Sequence, residues 1–515
     1  MPSYSYDRLS AQDNAFLLWE TPEVHMHVSA TQIYKAGPLK TPDGGIDIAA
    51  IKQAMSRNLH RIPRYRQKLQ WIPVENHAVW VDDSHFNIDF HIRHTSLPRP
   101  GSEEQLKKLA ARIMAQQLDR ARPLWEIWVV EGLEGDRFAF ISKTHHCMID
   151  GASGIGIADI LMSTSPDAEL AEAPVFIPRT APTSSELFTD SVRRRLSLPF
   201  EFVRSVRRFR DEVDDFRDEV TARVSAVREL MGWSASPPSK TPINQKVGPH
   251  RKIDWLEMPL ADVKAVRKAL DCTVNDVVLT TVTGAVRDFL MRRQVRPEEI
   301  DFRVSAPVSV RREGDHQLGN QVSSWVVALP VAESDPKEQL AAIHEETQRL
   351  KESKQALGIE TIIAIADWTT SSLLSMGAQA SSAATNTIVT NVPGPQMPLY
   401  MLGAEMMSMF PQVPLLPNLG LGIALISYNG RVCWGFNADA DMIPDLDAFK
   451  ELIAKSFARL ATAAEVTLSD GDVINLDPEA PKKKTRSRRS RAAAKPSAPP
   501  SDDAESLHAK GDAGS

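Results

Sequence analysis

One long amphipathic segment, residues 202–231, most constrains what this chain can fold into. Its apolar residues recur at steps of three or four, which is the spacing of one face of an α-helix. They are Phe202, Val206, Phe209, Val213, Phe216, Val220, Val224, Val227 and Met231. Stretches rich in Pro, Ala and Ser flank the segment at 166–185 and 234–250, and such compositions mark linkers. The pattern predicts a helical linker between two halves of the chain.

Both halves alternate strand-like and helical patterns. In the first half, WVVEGL and FAFISKTHH are rich in β-branched and aromatic residues, which predicts strands, and Glu103–Leu118 has the spacing of an amphipathic helix. In the second half, residues 271–293 predict a turn and a long helix, and Asn429-Gly430 predicts a hairpin turn. Alternation of this kind is typical of α/β (α+β) proteins. We expect an N-terminal lobe at 1–180, a helical linker at 181–245 and a C-terminal lobe at 246–475.

The last segment, 476–515, differs in composition from the rest of the chain. Its PKKKTRSRRSR stretch is basic without a single acid, and the remainder mixes Ala, Pro, Ser and charge. Such a segment cannot bury enough apolar surface to fold, which predicts a disordered tail. Each basic residue near an anionic surface contributes about 1 kcal/mol. The tail and the helix at 202–231 are thus two candidates for attachment to anionic lipid, although the helix pattern favours packing across a domain junction.

Charge, apolar runs and cysteines narrow the class of protein. The net charge of −6 argues against nucleic acid as the main partner. No stretch reaches the roughly 18 apolar residues of a membrane span, and the N-terminus lacks a signal-peptide pattern. Cys147, Cys272 and Cys433 are too few and too scattered for a disulfide framework or a zinc site. We expect a cytoplasmic protein that meets a membrane or a lipid inclusion from its surface, and the sequence sets no oligomeric state.

The segment KTHHCMIDGASG, residues 143–154, contains the most informative candidate site. Adjacent residues of a strand point to opposite faces, so His145 and His146 cannot easily bind one metal ion. Ser153 lacks the last glycine of a G-x-S-x-G nucleophile elbow, and Cys147 is a sequence neighbour of its only nearby base, an unfavourable geometry. A general base is favoured, because imidazole titrates near neutral pH. Two structural histidines remain the other explanation.

Asp150 and Gly151, which follow the two histidines, both favour a local turn. Asp150 can fix that turn, cap the following helix or pair with an arginine. Gly151 permits a tight turn or the close approach of a substrate.

The motif HHCMIDG matches H-H-x-x-x-D-G and resembles the acyltransferases that include chloramphenicol acetyltransferase, carnitine acyltransferase and peptide-synthetase condensation domains. Other segments are similar to blocks of the bacterial wax ester synthase/diacylglycerol acyltransferase family. They are LSAQDNAFLLWETPEVHMHV, RPLWEIWVVEGL, TVNDVVLTTVTGAVRDFL, APVSVRREG followed by GNQVSSWVVALPV, and TNVPGP. These blocks occur in the family's order from about residue 8 to 470, and the basic tail lies outside them.

This resemblance implies a two-lobed CoA-dependent acyltransferase fold, like that of chloramphenicol acetyltransferase, with a tunnel between the lobes. It implies that an acyl group is transferred from acyl-CoA to a long-chain alcohol or to diacylglycerol. Acyl-CoA is then a substrate, and no cofactor or metal is expected. A different acceptor, such as an amine or a small alcohol, and a non-catalytic lipid-body scaffold are the alternatives. The sequence does not rank wax ester against triacylglycerol synthesis.

The resemblance also implies roles for individual residues. His146 is expected to be the general base, His145 a structural partner, and Asp150 the residue that orients the motif. Asn275 is expected either to support the oxyanion or to brace the fold. Asp276 and Gly151 are further support, and the remaining block, Pro123, Leu124 and Trp125, is expected to shape the core or the acyl channel.

Overall fold

A computed structural model describes most of both predicted halves. Its described residues up to Ser469 belong to one compact unit. The predicted helix at 202–231 and the predicted tail at 476–515 lie outside the described residues, so both remain predictions. The described residues are 6–148, 161–167, 172, 174–194, 196, 237–309, 322–352 and 384–469.

The elements that frame the site lie in both halves. The helices are α1 (Ala11–Leu18), α2 (Ile48–Asn58), α3 (Glu103–Ala115), α4 (Leu260–Ala269), α5 (Val274–Arg292), α6 (Pro336–Glu352) and α7 (Leu446–Ala463), and a further helical stretch covers 184–194. The strands are β1 (Asp7–Arg8), β2 (His27–Lys35), β3 (Gln67–Ile72), β4 (His77–Asp82), β5 (Ile92–Ser96), β6 (Trp125–Leu133), β7 (Arg137–His145), β8 (Arg251–Pro259), β9 (Phe302–Ser309), β10 (Val322–Leu329), β11 (Thr387–Pro393), β12 (Tyr400–Met401), β13 (Ala404–Gln412), β14 (Leu421–Tyr428) and β15 (Arg431–Asp439).

The first six-stranded sheet has the order β12-β13-β2-β7-β6-β5. The strands predicted for WVVEGL and FAFISKTHH are confirmed as the antiparallel pair β6 and β7. Gly135 and Asp136 form the turn between them, with φ of 77° and 59°. Nearly every residue of β7 is buried, as a central strand covered on both faces requires. On its other side β7 pairs with β2, in a register that places His27 opposite His145.

The second six-stranded sheet has the order β10-β9-β11-β14-β15-β8. The predicted hairpin is confirmed as β14 and β15. Asn429 and Gly430 adopt φ of 44° and 80°, the left-handed conformation that a two-residue hairpin turn requires. Helices α5 and α7 share an apolar core with this sheet. They pack closely because Gly284 of α5 has no side chain; a Cβ there would lie 2.3 Å from Ser456 Oγ of α7.

Hydrogen bonding crosses the predicted division of the chain. Strands β12 and β13 come late in the sequence, yet β13 pairs with β2 of the first sheet. Where β13 meets β15, a Cβ at Gly435 would lie 1.7 Å from the Pro411 carbonyl oxygen, so only glycine permits this approach. Trp255 of β8 stacks on Phe410 of β13 at 4.8 Å between ring centroids. The sheet that contains the histidine pair is therefore built from strands of both halves. The lobe boundaries at 180 and 245 remain a prediction from the sequence.

Helix α3 confirms the helix predicted for Glu103–Leu118, although it ends three residues earlier. It begins with a capping box, in which Ser102 accepts from the Gln105 N–H and the Gln105 side chain accepts from the Ser102 N–H. Within the part of the chain that the structure describes, no helix is both long enough and apolar enough to cross a membrane.

Candidate active site

The histidine pair lies where β7 ends, between β2 and β6. The His145 N–H donates to the Leu124 carbonyl at 2.9 Å, and the His146 N–H donates to the Met26 carbonyl at 2.8 Å. Because successive N–H groups of a strand point to opposite sides, these bonds attach the pair to both neighbouring strands. Burial differs between the two: the side chain of His145 is 1% exposed, whereas His146 is only partly buried.

Both ring nitrogens of His145 face protein groups. Nδ1 accepts a hydrogen bond from the Cys147 N–H at 3.1 Å, and a neutral imidazole with an accepting Nδ1 carries its hydrogen on Nε2. That Nε2 lies 3.2 Å from a carboxylate oxygen of Glu20. His145 consequently has no nitrogen left to take a proton from a substrate.

The ring of His146 packs against α1. Its centroid lies 4.3 Å from that of Phe16, with the planes tilted by 32°. Phe16 is buried, and α1 begins at a cap in which Ser10 Oγ accepts from the Asp13 N–H at 3.0 Å. The His146 ring is thus partly exposed and packs against a buried aromatic side chain.

Glu20 is the residue of this site that sequence reasoning missed. Its side chain is 3% exposed, and its carboxylate accepts from the Met26 N–H at 2.9 Å and from the Arg120 guanidinium at 2.6 Å. Burial by itself raises the pKa of this carboxyl, but the interactions with His145 and Arg120 outweigh it and hold the pKa of Glu20 well below its usual range. A signal was present in the sequence: a single acid ends the apolar run AFLLWE, just before the alternating histidines of VHMHV.

Two further histidines near the start of β2 adjoin the pair. His27 lies edge-on to His145 at 5.8 Å between centroids, and it stacks on His25 at 5.3 Å. Burial lowers the pKa of His25 and holds that of His27 well below its ordinary value. Both rings are therefore neutral near pH 7 and add no positive charge beside the motif.

Other chemistries find little support in the described part of the chain. No group of three or more His, Cys, Asp or Glu side chains there could hold a metal ion. Cys147 is buried, and burial raises the pKa of its thiol well above the ordinary value, which leaves it protonated and a poor nucleophile. The predicted site residues Asp150 and Gly151, and also Ser153, lie outside the described residues.

The Pro123-Leu124-Trp125 segment lies beside the pair, at the start of β6. All three residues are buried, and the Leu124 carbonyl is the group that accepts from the His145 N–H. Trp125 stacks between Tyr65 at 4.6 Å and His91 at 4.5 Å, and its indole N–H donates to the Tyr65 carbonyl at 2.8 Å. The segment thus fixes the β6 side of the motif through backbone and packing.

The predicted Asn275-Asp276 pair opens α5, behind the second sheet. Asp276 is 1% exposed and forms a capping box with Thr273. It also accepts from Thr347 Oγ1 and contacts His344 Nδ1, each at 2.8 Å, so it joins α5 to α6. Asn275 is partly buried, and its amide makes no hydrogen bond to any described residue. Among the described residues, no hydrogen bond or ion pair joins either of the two to His145.

Two six-stranded sheets, with a histidine pair at the end of a central strand, define the class as the two-lobed CoA-dependent acyltransferase fold. The first condensation domain of the calcium-dependent antibiotic synthetase superposes with a TM-score of 0.58, over 90% of this chain and 99% of that one, at 14% identity. The wax ester synthase/diacylglycerol acyltransferase from Marinobacter aquaeolei VT8 superposes with a TM-score of 0.61, over 89% of this chain and all of that one (100%), at 25% identity. The predicted α/β, chloramphenicol-acetyltransferase-like fold is confirmed.

Family models identify the family. The wax ester synthase/diacylglycerol acyltransferase catalytic domain matches residues 9–278, and the C-terminal domain of the same family matches 318–461. Two Mycobacterium tuberculosis proteins, named provisionally as diacylglycerol O-acyltransferases, are similar along most of the chain. One is 32% identical over 474 residues, 87% of this chain and 90% of that protein, and the other 30% identical over 480 residues, 89% and 96%. The chain belongs to the wax ester synthase/diacylglycerol acyltransferase family and is an acyltransferase, as the sequence predicted.

Proposed function

We propose that this acyltransferase moves the acyl group of acyl-CoA to the hydroxyl of diacylglycerol or of a long-chain alcohol, with His146 as general base. The observation that carries the proposal is the unequal pair: the His145 ring is buried, with Nδ1 accepting from the Cys147 N–H and Nε2 3.2 Å from Glu20, whereas His146 is partly exposed and its ring packs against Phe16. In this proposal His145 has a structural role, and His146 contacts the acceptor hydroxyl.

The steps balance with no covalent enzyme intermediate. His146 takes the proton of the acceptor hydroxyl as its oxygen forms a bond to the thioester carbonyl carbon. The tetrahedral oxyanion then collapses, the carbon–sulfur bond breaks, and the CoA thiolate receives the proton from the imidazolium. A thiolate is a good leaving group, so no stronger acid is needed. The high pKa of the buried Cys147 thiol agrees with direct transfer.

Three residues of the motifs receive secondary roles in this proposal. The oxyanion needs hydrogen-bond donors, and the amide of Asn275 is our candidate among the described residues. Asp150 orients the histidine motif, and Gly151 leaves room for the substrate.

The acceptor and the products are lipids, so the protein has to work at a lipid surface. We propose that it is cytoplasmic and associates peripherally with the membrane or with lipid inclusions. The basic composition of the tail supports this proposal, because clustered Lys and Arg are attracted to anionic lipid.

One competition experiment tests the acceptor. The purified protein receives a single acyl-CoA together with equal amounts of a fatty alcohol and diacylglycerol, and the products are separated while thiol release is followed. We expect triacylglycerol, wax ester or both. Thiol release that yields only amides or short esters would contradict the proposed acceptor class, and no thiol release with any acceptor would contradict the reaction itself.

A further inference from the structure

Stability alone does not explain why Glu20 is buried beneath the histidine motif. Removing a carboxylate from water costs free energy that a buried ion pair often fails to return. The site nevertheless surrounds this carboxylate with groups from separate parts of the first half. Its neighbours are Met26 N at 2.9 Å, Arg120 Nη2 at 2.6 Å, His145 Nε2 at 3.2 Å, Gln117 Nε2 at 3.3 Å and His27 Nε2 at 3.6 Å.

The first connection from Glu20 to the motif runs through a side chain. The Cys147 N–H occupies Nδ1 of His145, which leaves the ring hydrogen on Nε2, 3.2 Å from a carboxylate oxygen of Glu20. A carboxylate opposite a ring N–H fixes both the tautomer and the orientation of that ring, because the reversed ring would place an acceptor against the negative charge. The orientation of His145 in turn fixes the turn that carries its neighbour.

The second connection runs through the backbone. Oε1 of Glu20 accepts from the Met26 N–H at 2.9 Å, and the Met26 carbonyl accepts from the His146 N–H at 2.8 Å. The peptide groups on either side of Met26 thus join the carboxylate to the backbone of His146. Arg120 donates to Oε2 of Glu20 and also to the Leu17 carbonyl at the end of α1. The second carboxylate oxygen is thereby held in place relative to α1.

We infer that Glu20 is a positioning residue for the transfer reaction: through His145 and Met26 it sets the place of His146. The inference rests on the proposed function, since it assumes that His146 takes the acceptor proton. Glu20 acts through these neighbours, and its ion pair with Arg120 helps to hold the carboxylate in place.

Three variants test the inference by CoA-thiol release from the full-length protein. E20Q keeps the shape of the side chain but removes its charge and one acceptor oxygen. E20D keeps the charge but withdraws it from Met26 and His145. E23Q is the matched control, because Glu23 lies three residues away and accepts at long range, 3.3 Å, from Thr21 Oγ1.

We expect E20Q and E20D to lower kcat at least tenfold while KM for acyl-CoA stays within twofold, and we expect E23Q to behave as the wild type. In E20Q the acid limb of the kcat–pH profile should move to lower pH, because a lost negative charge lowers the pKa of nearby imidazoles. A role confined to holding the fold would not move this limb.

The outcomes separate the inference from the function it rests on. A folded E20Q with wild-type kcat and an unmoved acid limb overturns the inference. If E20Q fails to fold, E20D with wild-type kcat overturns it as well. Wild-type protein that releases no thiol instead overturns the proposed function.

Discussion

The histidine pair of β7 and the Asn-Asp pair of α5 are each two adjacent residues, of which one is buried and the other partly exposed. His145 and Asp276 are both 1% exposed, whereas His146 and Asn275 are accessible in part. The buried members differ in what they hold: His145 faces Glu20 beside β2, and Asp276 joins α5 to α6. The comparison teaches that in each motif the buried residue anchors the backbone, and the partly exposed residue is our candidate for contact with a substrate.

The largest expected effect comes from the exposed histidine. His146→Ala should lower kcat by a factor of roughly 100 to 10,000, the range over which a general base contributes, while the protein stays folded because only one partly exposed ring is lost. Initial rates of thiol release with a dodecyl-length alcohol, together with circular dichroism, measure this. His25→Ala, in another partly exposed histidine, serves as the control. An H146A variant above a tenth of wild-type activity would remove His146 from the proposed role.

The buried member of the second pair should act on stability instead. Asp276→Ala removes a capping box and the buried carboxylate that Thr347 Oγ1 and His344 Nδ1 contact. We expect the free energy of unfolding to fall by about 2–3 kcal/mol, as urea titration would measure. Asp271→Asn, in the exposed turn before the helix, should change it by less than about 0.5 kcal/mol. Equal stability of D276A and the wild type would break the comparison.

Asn275→Ala sharpens the same contrast. Since the amide makes no hydrogen bond to a described residue, its removal should leave the melting temperature nearly unchanged. If the amide supports the oxyanion, kcat should fall about ten- to a hundredfold, with KM for acyl-CoA little altered. A loss of stability like that expected for D276A, with normal kcat, would show that Asn275 braces the fold.

The pH dependence of stability also separates the two motifs. The folded pKa of His27 is depressed by burial, so the unfolded chain binds a proton first and stability falls as pH drops below about 6.5, by about 1.4 kcal/mol per pH unit for each such group. The folded pKa of Asp276 is also lowered, so its contribution is present above about pH 4 and is lost only below that.

Urea titrations between pH 7 and 3 check this separation. His27→Gln should flatten the curve between pH 6.5 and 5, and Asp276→Asn should flatten it below pH 4. If His27→Gln instead flattened the curve below pH 4 and Asp276→Asn flattened it between pH 6.5 and 5, a neutral His27 and an ionised Asp276 would both be contradicted.

Local pattern was enough to predict much of the fold. Strands β6 and β7, the hairpin at Asn429-Gly430 and helix α5 follow from periodicities and turn residues that act within about 20 positions. The family blocks then supplied the two-lobed class, because they identify the chain without any knowledge of its packing.

Contacts distant in sequence could not be predicted in this way. Glu20 was missed because its partners Arg120 and His145 lie 100 and 125 positions away, so the local signal, an acid that ends an apolar run, could not show which groups surround this acid. The pairing of β13 with β2 could not be predicted for the same reason, because the residue spacing within a strand does not show which strand it pairs with.

That pairing has a consequence for biosynthesis. While the chain is being made, β2 remains an unpaired sheet edge beside the histidine motif until residue 412 has left the ribosome. At about 5–20 residues per second, this interval lasts roughly 13–53 s after the motif itself is synthesised. An unpaired sheet edge invites association between chains, so nascent or truncated protein that ends before β13 should depend on chaperones, and the two halves should not be separable into independently folding modules.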